Sequence, residues 1–425
     1  MSEKNSISSA RIKESYTKID HASGLTMLLY PMQGFSSAYA LFSTKYGSVD
    51  TCFKTNTDKD FLQVPEGIAH FLEHKLFESE DGDAFTRYAQ TGASANAYTS
   101  FDRTAYLFSC TDKFKESLEI LLDFVTKPYF TEQTVQKEQG IIGQEIKMYE
   151  DNPEWRVFFN LLLALYHEHP LRVDIVGTVD SIAKIDADIL YRCYNTFYNL
   201  NNMVLCIAGN FSVDDVVATA DRILKPARDL TIERRNKPEP RSVYKEKYEQ
   251  NLPVAIPLFS VGFKADPATE AENAFNQLVD ELLINIIAGE STPLYRKLYD
   301  EGLINSDFGG EAMSSRDYAL TMFSGESRDP ERVRDEIVAE ISRIKREGID
   351  PDVFSRCKKT VYGNYVSAFS KAESVASMML SAYFSGTEIY RTLEMLAALT
   401  IEDAARRFNE SFDVNRCALS VVKGE

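Results

Sequence analysis

Several features that would restrict the function of this chain are scarce in its 425 residues. The six cysteines stand singly, with no Cys-x-x-Cys pair, which disfavours a cysteine-bound metal and fits a reducing compartment. No run approaches the roughly 18 apolar residues of a membrane span, and the N-terminal segment lacks the basic and apolar regions of a secretory signal. We therefore expect a cytoplasmic protein without a membrane partner.

Positive charge is also in short supply. Lys and Arg total 47 against 64 Asp and Glu, which gives a formal net charge of -17. Such a surplus of acidic groups repels nucleic-acid phosphates and anionic lipid surfaces. We expect no nucleic-acid partner, and neutral or basic peptides are the easier ligands.

Histidine is scarce as well, with five in the chain, yet two of them lie close together in the pattern His70-x-x-Glu73-His74. The apolar residues around this pattern predict a helix, on which the two imidazoles leave one face roughly 40° apart and can reach one zinc ion. Glu73 can then lie beside the metal as the general base for a zinc-activated water. Ordinary buried or surface histidines are the alternative, but burial without partners is costly.

Catalytic zinc usually has three protein ligands and an open fourth position, so one further ligand is needed. A helical pattern over residues 131–149 carries Glu138 and Glu145, which are seven residues apart and lie within roughly 20° of each other on one face. Either carboxylate could complete the zinc shell. Taken alone, glutamates at this spacing more often form a solvated face.

Together these residues resemble the pitrilysin-type zinc peptidases, whose inverted His-x-x-Glu-His motif precedes a helix with two glutamates seven apart. The resemblance implies a zinc metalloendopeptidase in which Glu145 is the third ligand of Zn2+ and Glu138 is an accessory acid. The segment around Asn96 and Ala97 resembles the family's strand pair, so these residues are expected on an edge strand that holds the substrate backbone. A purely structural hairpin is the alternative. The run Gly-Ile-Ile-Gly-Gln-Glu-Ile at 140–146, followed by Asp-Asn-Pro at 151–153 and by Trp155, resembles a bacterial two-domain, processing-peptidase-like branch of the family.

The resemblance also implies the fold, an α+β chain with two similar α/β sandwich halves, as in the mitochondrial processing peptidase. We predict a zinc-bearing catalytic domain over 1–225, a charged, proline-containing linker over 226–253 and a similar second domain over 254–425. The predicted strands lie at 25–30, 38–46, 96–109, 205–209, 254–263, 318–324 and 418–422. The predicted helices lie at 114–125, 131–149, 156–166, 213–224, 271–287, 332–346 and 353–384.

The second half departs from the family in one segment. Active single-chain members carry an Arg and a Tyr that bind the substrate carbonyl, and the nearest positions here are Tyr299 and Asn305, although Arg296 and Tyr295 lie close by. Some relatives pair two unlike subunits, one with zinc and one with the Arg/Tyr pair. The chain is therefore expected to be a zinc metalloendopeptidase that acts either alone or as the zinc-bearing subunit of a heterodimer. A homodimer and a non-proteolytic peptide-binding or scaffold subunit are the alternatives.

Overall fold

The computed structural model of the chain describes residues 3–80 and 82–424. In chain order, strands β1 to β17 span Glu3–Ser9, Glu14–Asp20, Thr26–Pro31, Ala38–Thr44, Cys52–Thr55, Leu62–Gln63, Glu78–Ser79, Gly82–Asp83, Ser94–Thr99, Thr104–Cys110, Met203–Gly209, Ile232–Arg234, Lys247–Asn251, Leu258–Ala265, Gly309–Ser314, Ala319–Glu326 and Cys417–Lys423. Helices α1 to α15 span Ile68–Leu76, Ala84–Thr91, Phe114–Thr126, Glu132–Glu150, Pro153–Leu165, Val179–Ile182, Ala187–Phe197, Val213–Ile223, Glu270–Ala288, Pro293–Asp300, Pro330–Glu347, Pro351–Ala368, Ala372–Phe384, Ile389–Ala398 and Ile401–Ser411. Short 3-10 turns span Pro170–Arg172, Leu200–Asn202 and Val414–Arg416.

These elements form two compact units. Unit 1 contains Met1–Ile146, Val173–Asn236 and Ala368–Phe384, and unit 2 contains Lys147–Arg172, Lys237–Ser367 and Ser385–Glu425. Mixed helix and sheet in two halves confirms the predicted α+β fold.

The division between the units differs from the predicted boundaries at two helices. Helix α5 lies in the first half of the chain, yet it packs on β14 and β17 of unit 2. Helix α13 lies in the second half, yet it packs on β4 and β11 of unit 1. An apolar helical pattern predicts that a helix is buried, but it does not say which sheet buries it.

A seven-stranded sheet of order β1-β2-β3-β11-β4-β10-β9 is the framework of unit 1. Strands β4 and β11 are buried along their whole length, as is typical of central strands covered by helices. Helices α3 and α13 both pack on β4, and α1 packs against β9 and β10. The helix with the histidine pattern is therefore fixed beside one edge of the sheet.

The five-stranded sheet of unit 2 repeats the order of the last five strands of the first sheet, β3-β11-β4-β10-β9. Its order is β13-β17-β14-β16-β15, and the one parallel pair, β13 with β17, matches the parallel pair of β3 with β11. Edge strand β15 therefore corresponds to β9, and helix α9, which packs on β15, corresponds to α1. The two similar halves implied by the family resemblance are therefore present in the strand order.

Several predicted elements differ in detail. Residues 226–253, predicted to be a linker, contain β12, which pairs with β5, and β13, which pairs with β17. Both strands are short and polar, and they are held in their sheets by backbone hydrogen bonds. Their side chains therefore show no apolar period from which strands could be predicted. The helix predicted over 353–384 is divided into α12 and α13, and strands β1 and β2 precede the first predicted strand. None of the helices in residues 3–80 and 82–424 is long and apolar enough to span a membrane.

Candidate metal centre

Helix α1 presents the His-x-x-Glu-His pattern from a fixed position in unit 1. Its residues Ile68, Phe71 and Leu76 are buried. Gly67 precedes the helix with a φ of 85°, and a Cβ at this residue would lie 2.5 Å from the carbonyl oxygen of Val176. Because any side chain would clash there, a glycine is required for α1 to begin against this loop.

Three side chains of unit 1 converge beside α1. His70 and His74, together with Glu145 of α4, each offer one ligand atom, and these atoms all lie within 4.8 Å of one another. Glu145 Oε1 is 3.7 Å from Nε2 of His70, and Glu145 Oε2 is 3.5 Å from Nε2 of His74. Two ligands on a zinc tetrahedron with bonds of about 2.1 Å lie roughly 3.4 Å apart. The two distances from Glu145 are therefore close to those expected around one zinc ion.

The chemistry of the ligand atoms fits a metal as well. Burial, with a smaller effect of His74, lowers the pKa of His70 to about 3, so its imidazole is neutral, as a metal ligand must be. Two imidazole nitrogens and one carboxylate oxygen form a ligand set found in catalytic zinc sites.

Glu138 supports one of these histidines from the far side of the ring. Its Oε1 lies 2.9 Å from Nδ1 of His74, and its side chain is buried. Burial alone would lower the pKa of His74, but the hydrogen bond to Glu138 and the nearby carboxylates raise it above its ordinary value. A carboxylate on Nδ1 fixes the tautomer and the ring orientation, which leaves Nε2 to face the ligand cluster.

Glu73 is held by a residue that the sequence did not single out. The hydroxyl of Thr99, on β9, donates a 2.7 Å hydrogen bond to Glu73 Oε2. Burial raises the pKa of the Glu73 carboxyl, and the Thr99 bond opposes this shift only in part. A carboxyl with a raised pKa is a better proton acceptor, which suits a general base. The sequence signal for Thr99 is the Asn-Ala-x-Thr pattern of the family's strand pair, which includes Thr99 but predicted no role for it. Its spacing of two residues from Ala97 on a strand places both on one face.

Asn96 and Ala97 lie on β9, as predicted. This strand pairs with β10 on one side, and no other described strand pairs with its outer edge. The N–H of Ala97 donates to the side-chain oxygen of Asn96 at 2.9 Å, which indicates that this N–H faces the outer edge rather than β10. An extended peptide could pair with such an edge as an added strand.

A second unpredicted feature of α1 is Lys75, which directly follows the motif. Its side chain is fully buried and forms an ion pair with Glu78. Lysine is seldom buried without a charged partner, so this ion pair is what permits its position in the core of unit 1. This burial was not predicted from the sequence, because a lysine in a helix normally faces solvent.

Comparison with known proteins adds to this description. Residues 63–179 match the family described as "Insulinase (Peptidase family M16)", and residues 184–361 match "Peptidase M16 inactive domain". A protein of Bacillus subtilis (strain 168) named "Uncharacterized zinc protease YmfH" is 37% identical over 406 residues, which cover 94% of this chain and 95% of that protein. The beta subunit of the mitochondrial-processing peptidase of Caenorhabditis elegans is 32% identical over 163 residues, which cover 37% of this chain and 35% of that protein.

A solved structure is similar over the whole chain. The crystal structure of an M16-like peptidase from Alicyclobacillus acidocaldarius has a TM-score of 0.92 at 33% identity and covers 100% of this chain and 99% of its own. The fold and the site thus define a two-unit α+β protein with a histidine–carboxylate centre in its first unit. The chain belongs to the pitrilysin-type peptidase family, M16, which confirms the family indicated by the sequence motifs.

Proposed function

We propose that the chain is a zinc-dependent metalloendopeptidase that cleaves peptides or small unfolded polypeptides in the cytoplasm. The observation that supports this most is the convergence of His70, His74 and Glu145 within 4.8 Å, with Glu73 between the two histidines in the sequence of α1. The words protease and peptidase in the names of its relatives agree with this function. Six free cysteines agree with a reducing compartment.

In the proposed reaction, His70, His74 and Glu145 hold the metal. A zinc ion held there supplies Lewis acidity, which lowers the pKa of water and polarises a carbonyl group. Glu73 accepts a proton from the attacking water and later gives the same proton to the leaving amine nitrogen, so that its carboxylate is regenerated. Glu138 keeps His74 in its ligand orientation through the 2.9 Å contact with Nδ1.

The substrate in this proposal is an extended peptide that pairs with the outer edge of β9. Main-chain hydrogen bonds to the outward-facing backbone groups of Ala97, with Asn96 beside it, would hold the peptide with little dependence on its sequence. Because Thr99 is on the same strand and contacts Glu73, a peptide bound along β9 passes the proposed general base. The negative charge of the chain favours neutral or basic peptides.

We further propose that the chain is the zinc-bearing subunit of a heterodimer whose sibling supplies the Arg/Tyr pair. Of the two matching positions, Tyr299 is an exposed residue of α10 and Asn305 donates to Glu326 at 2.9 Å. The neighbouring Tyr295 is buried in the core of unit 2, and the exposed Arg296 is paired with an aspartate one helical turn away. Neither neighbour has the unengaged, exposed side chain that would bind a substrate carbonyl.

The test is metal content by mass spectrometry on the purified chain, together with cleavage of a quenched basic peptide with and without chelator. One zinc per chain and no cleavage until the sibling subunit is added is the expected result. Full chelator-sensitive cleavage by the chain alone would keep the peptidase and reject the heterodimer, leaving a monomer or homodimer for sedimentation to distinguish. Absence of bound zinc would reject the peptidase in favour of a peptide-binding or scaffold subunit.

A further inference from the structure

The hydroxyl group of Thr99 has one hydrogen and two neighbours that could receive it. Glu73 Oε2 is 2.7 Å away, and Thr104 Oγ1 is 3.4 Å away. Thr104 gives its own hydrogen to the carbonyl oxygen of Tyr46 at 2.9 Å. The carboxylate of Glu73 is both the nearer acceptor and the stronger one, so Thr99 donates to Glu73.

The position of Thr99 is fixed by the sheet. It lies directly opposite Thr104 in the antiparallel pair of β9 and β10, and Thr104 is fully buried against the next strand, β4. A β-branched side chain on a paired strand has few rotamers. The hydroxyl that reaches Glu73 is therefore held by the backbone of three strands rather than by a mobile loop.

The bond distinguishes the two carboxylate oxygens of Glu73. Oε2 accepts the hydrogen of Thr99, so Oε1 is the oxygen left to accept a proton from water. The last torsion of a glutamate side chain is broad, so without this contact the carboxylate could rotate. A fixed carboxylate keeps the proton acceptor in a productive geometry, and small misplacements of such groups are costly in rate.

We propose that Thr99 is a positioning residue that orients Glu73 so that Oε1 serves as the proton acceptor. This inference rests on the proposed peptidase function. Thr99 and Ala97 lie on the same face of β9 because strand side chains repeat every two residues. The strand that receives the peptide backbone therefore also orients the base, which fixes the distance between the bound peptide and Glu73.

The first test compares Thr99→Val, which keeps the shape of the side chain but removes the hydroxyl, with Thr99→Ser, which keeps the hydroxyl. We expect kcat of Thr99→Val to fall about 10- to 100-fold, with KM within about twofold and zinc content unchanged, and Thr99→Ser to recover most of the rate. Thr17→Val on β2 of the same sheet is the matched control and should leave kcat unchanged. An unchanged kcat in Thr99→Val, a rise in KM alone, or an equal loss in Thr99→Ser would overturn the proposal.

The second test does not depend on activity. A double-mutant cycle of Thr99→Val and Glu73→Ala, which leaves no acceptor for the Thr99 hydroxyl, followed by thermal unfolding with and without zinc, measures the coupling of the two side chains. The proposal expects the double variant to lose less melting temperature than the sum of the single variants, and additive losses would overturn it. If the wild-type protein, with its sibling present, shows no chelator-sensitive cleavage, the peptidase function fails and the catalytic role of Thr99 fails with it, whereas a coupled cycle would still establish the contact.

Discussion

The two units of this protein share the same order of five strands, but only the first carries a cluster of metal ligands among the described residues. In unit 1, α1 lies against edge strand β9 and carries the two histidines of the ligand cluster. In unit 2, the corresponding helix α9 lies against edge strand β15, and the described residues of this unit contain no comparable group of three metal ligands. The fold therefore places a helix beside a free edge strand in both units, and a few side chains decide whether that place has metal chemistry.

The helix of unit 2 that corresponds to α1 carries a partly buried carboxyl group but no histidine. Burial raises the pKa of Glu281 on α9, and burial together with the charge of Glu281 raises the pKa of Tyr365 on α12. By order along the chain, α12 corresponds to α4, which carries Glu145. A carboxyl group with a raised pKa is thus present in both units, but only Glu73 of unit 1 is accompanied by a ligand cluster.

Glu73→Gln is expected to have the largest effect on activity, and it tests the contrast between the two units directly. The amide cannot accept the proton of water, so kcat should fall about 10²- to 10⁴-fold, while His70, His74 and Glu145 still bind zinc. Steady-state cleavage and metal analysis of the same preparation give both quantities. Glu281→Gln is the matched control in unit 2 and should leave kcat within about twofold of the wild-type value.

Two results would contradict this assignment. Unchanged activity with unchanged zinc content would show that Glu73 is not the base. A comparable loss in Glu281→Gln would show that the raised pKa of the carboxyl group in unit 2 has a catalytic use, and the functional contrast between the units would no longer hold.

A smaller effect is expected for Glu138→Gln. This variant tests whether zinc binding depends on the carboxylate that orients His74 as well as on the ligands themselves. The variant replaces the carboxylate that holds Nδ1 of His74, so zinc affinity should fall about 10- to 100-fold, measured by competition with a chromogenic chelator. Glu132→Gln, an exposed residue on the first turn of the same helix, is the control. If both variants bound zinc as tightly as the wild type, the contact between Glu138 and His74 would have no role in binding.

The sequence predicted the residues of the ligand cluster better than it predicted which elements make up each unit. The helical period places His70 and His74 on one face of α1, and the seven-residue spacing places Glu138 and Glu145 on one face of α4. Both relations are local in the sequence. The exchange of α5 and α13 between the sheets was not predictable, because it depends on pairing between distant segments. Thr99 was missed for the same reason, since its contact with Glu73 joins a strand to a helix 26 residues away.

The smallest expected effect concerns the free edges of the two sheets. In unit 1 the side chain of Asn96 accepts the outward N–H of Ala97, so a peptide that pairs there must displace it. Asn96→Ala should therefore lower KM by about two- to tenfold, since a net hydrogen bond contributes about 0.5–1.5 kcal/mol, with kcat unchanged.

Unit 2 provides the control for this edge. A Cβ at Gly309 of β15 would meet no atom within 4 Å, so Gly309→Ala should fold normally and leave KM unchanged if peptides bind only along β9. A rise in KM for Asn96→Ala would mean that the Asn96 side chain itself holds the substrate. A change in KM for Gly309→Ala would mean that the edge of unit 2 also receives peptides. The two units would then differ in their metal ligands but share a peptide-binding edge, because an unpaired strand can receive a peptide without any catalytic group beside it.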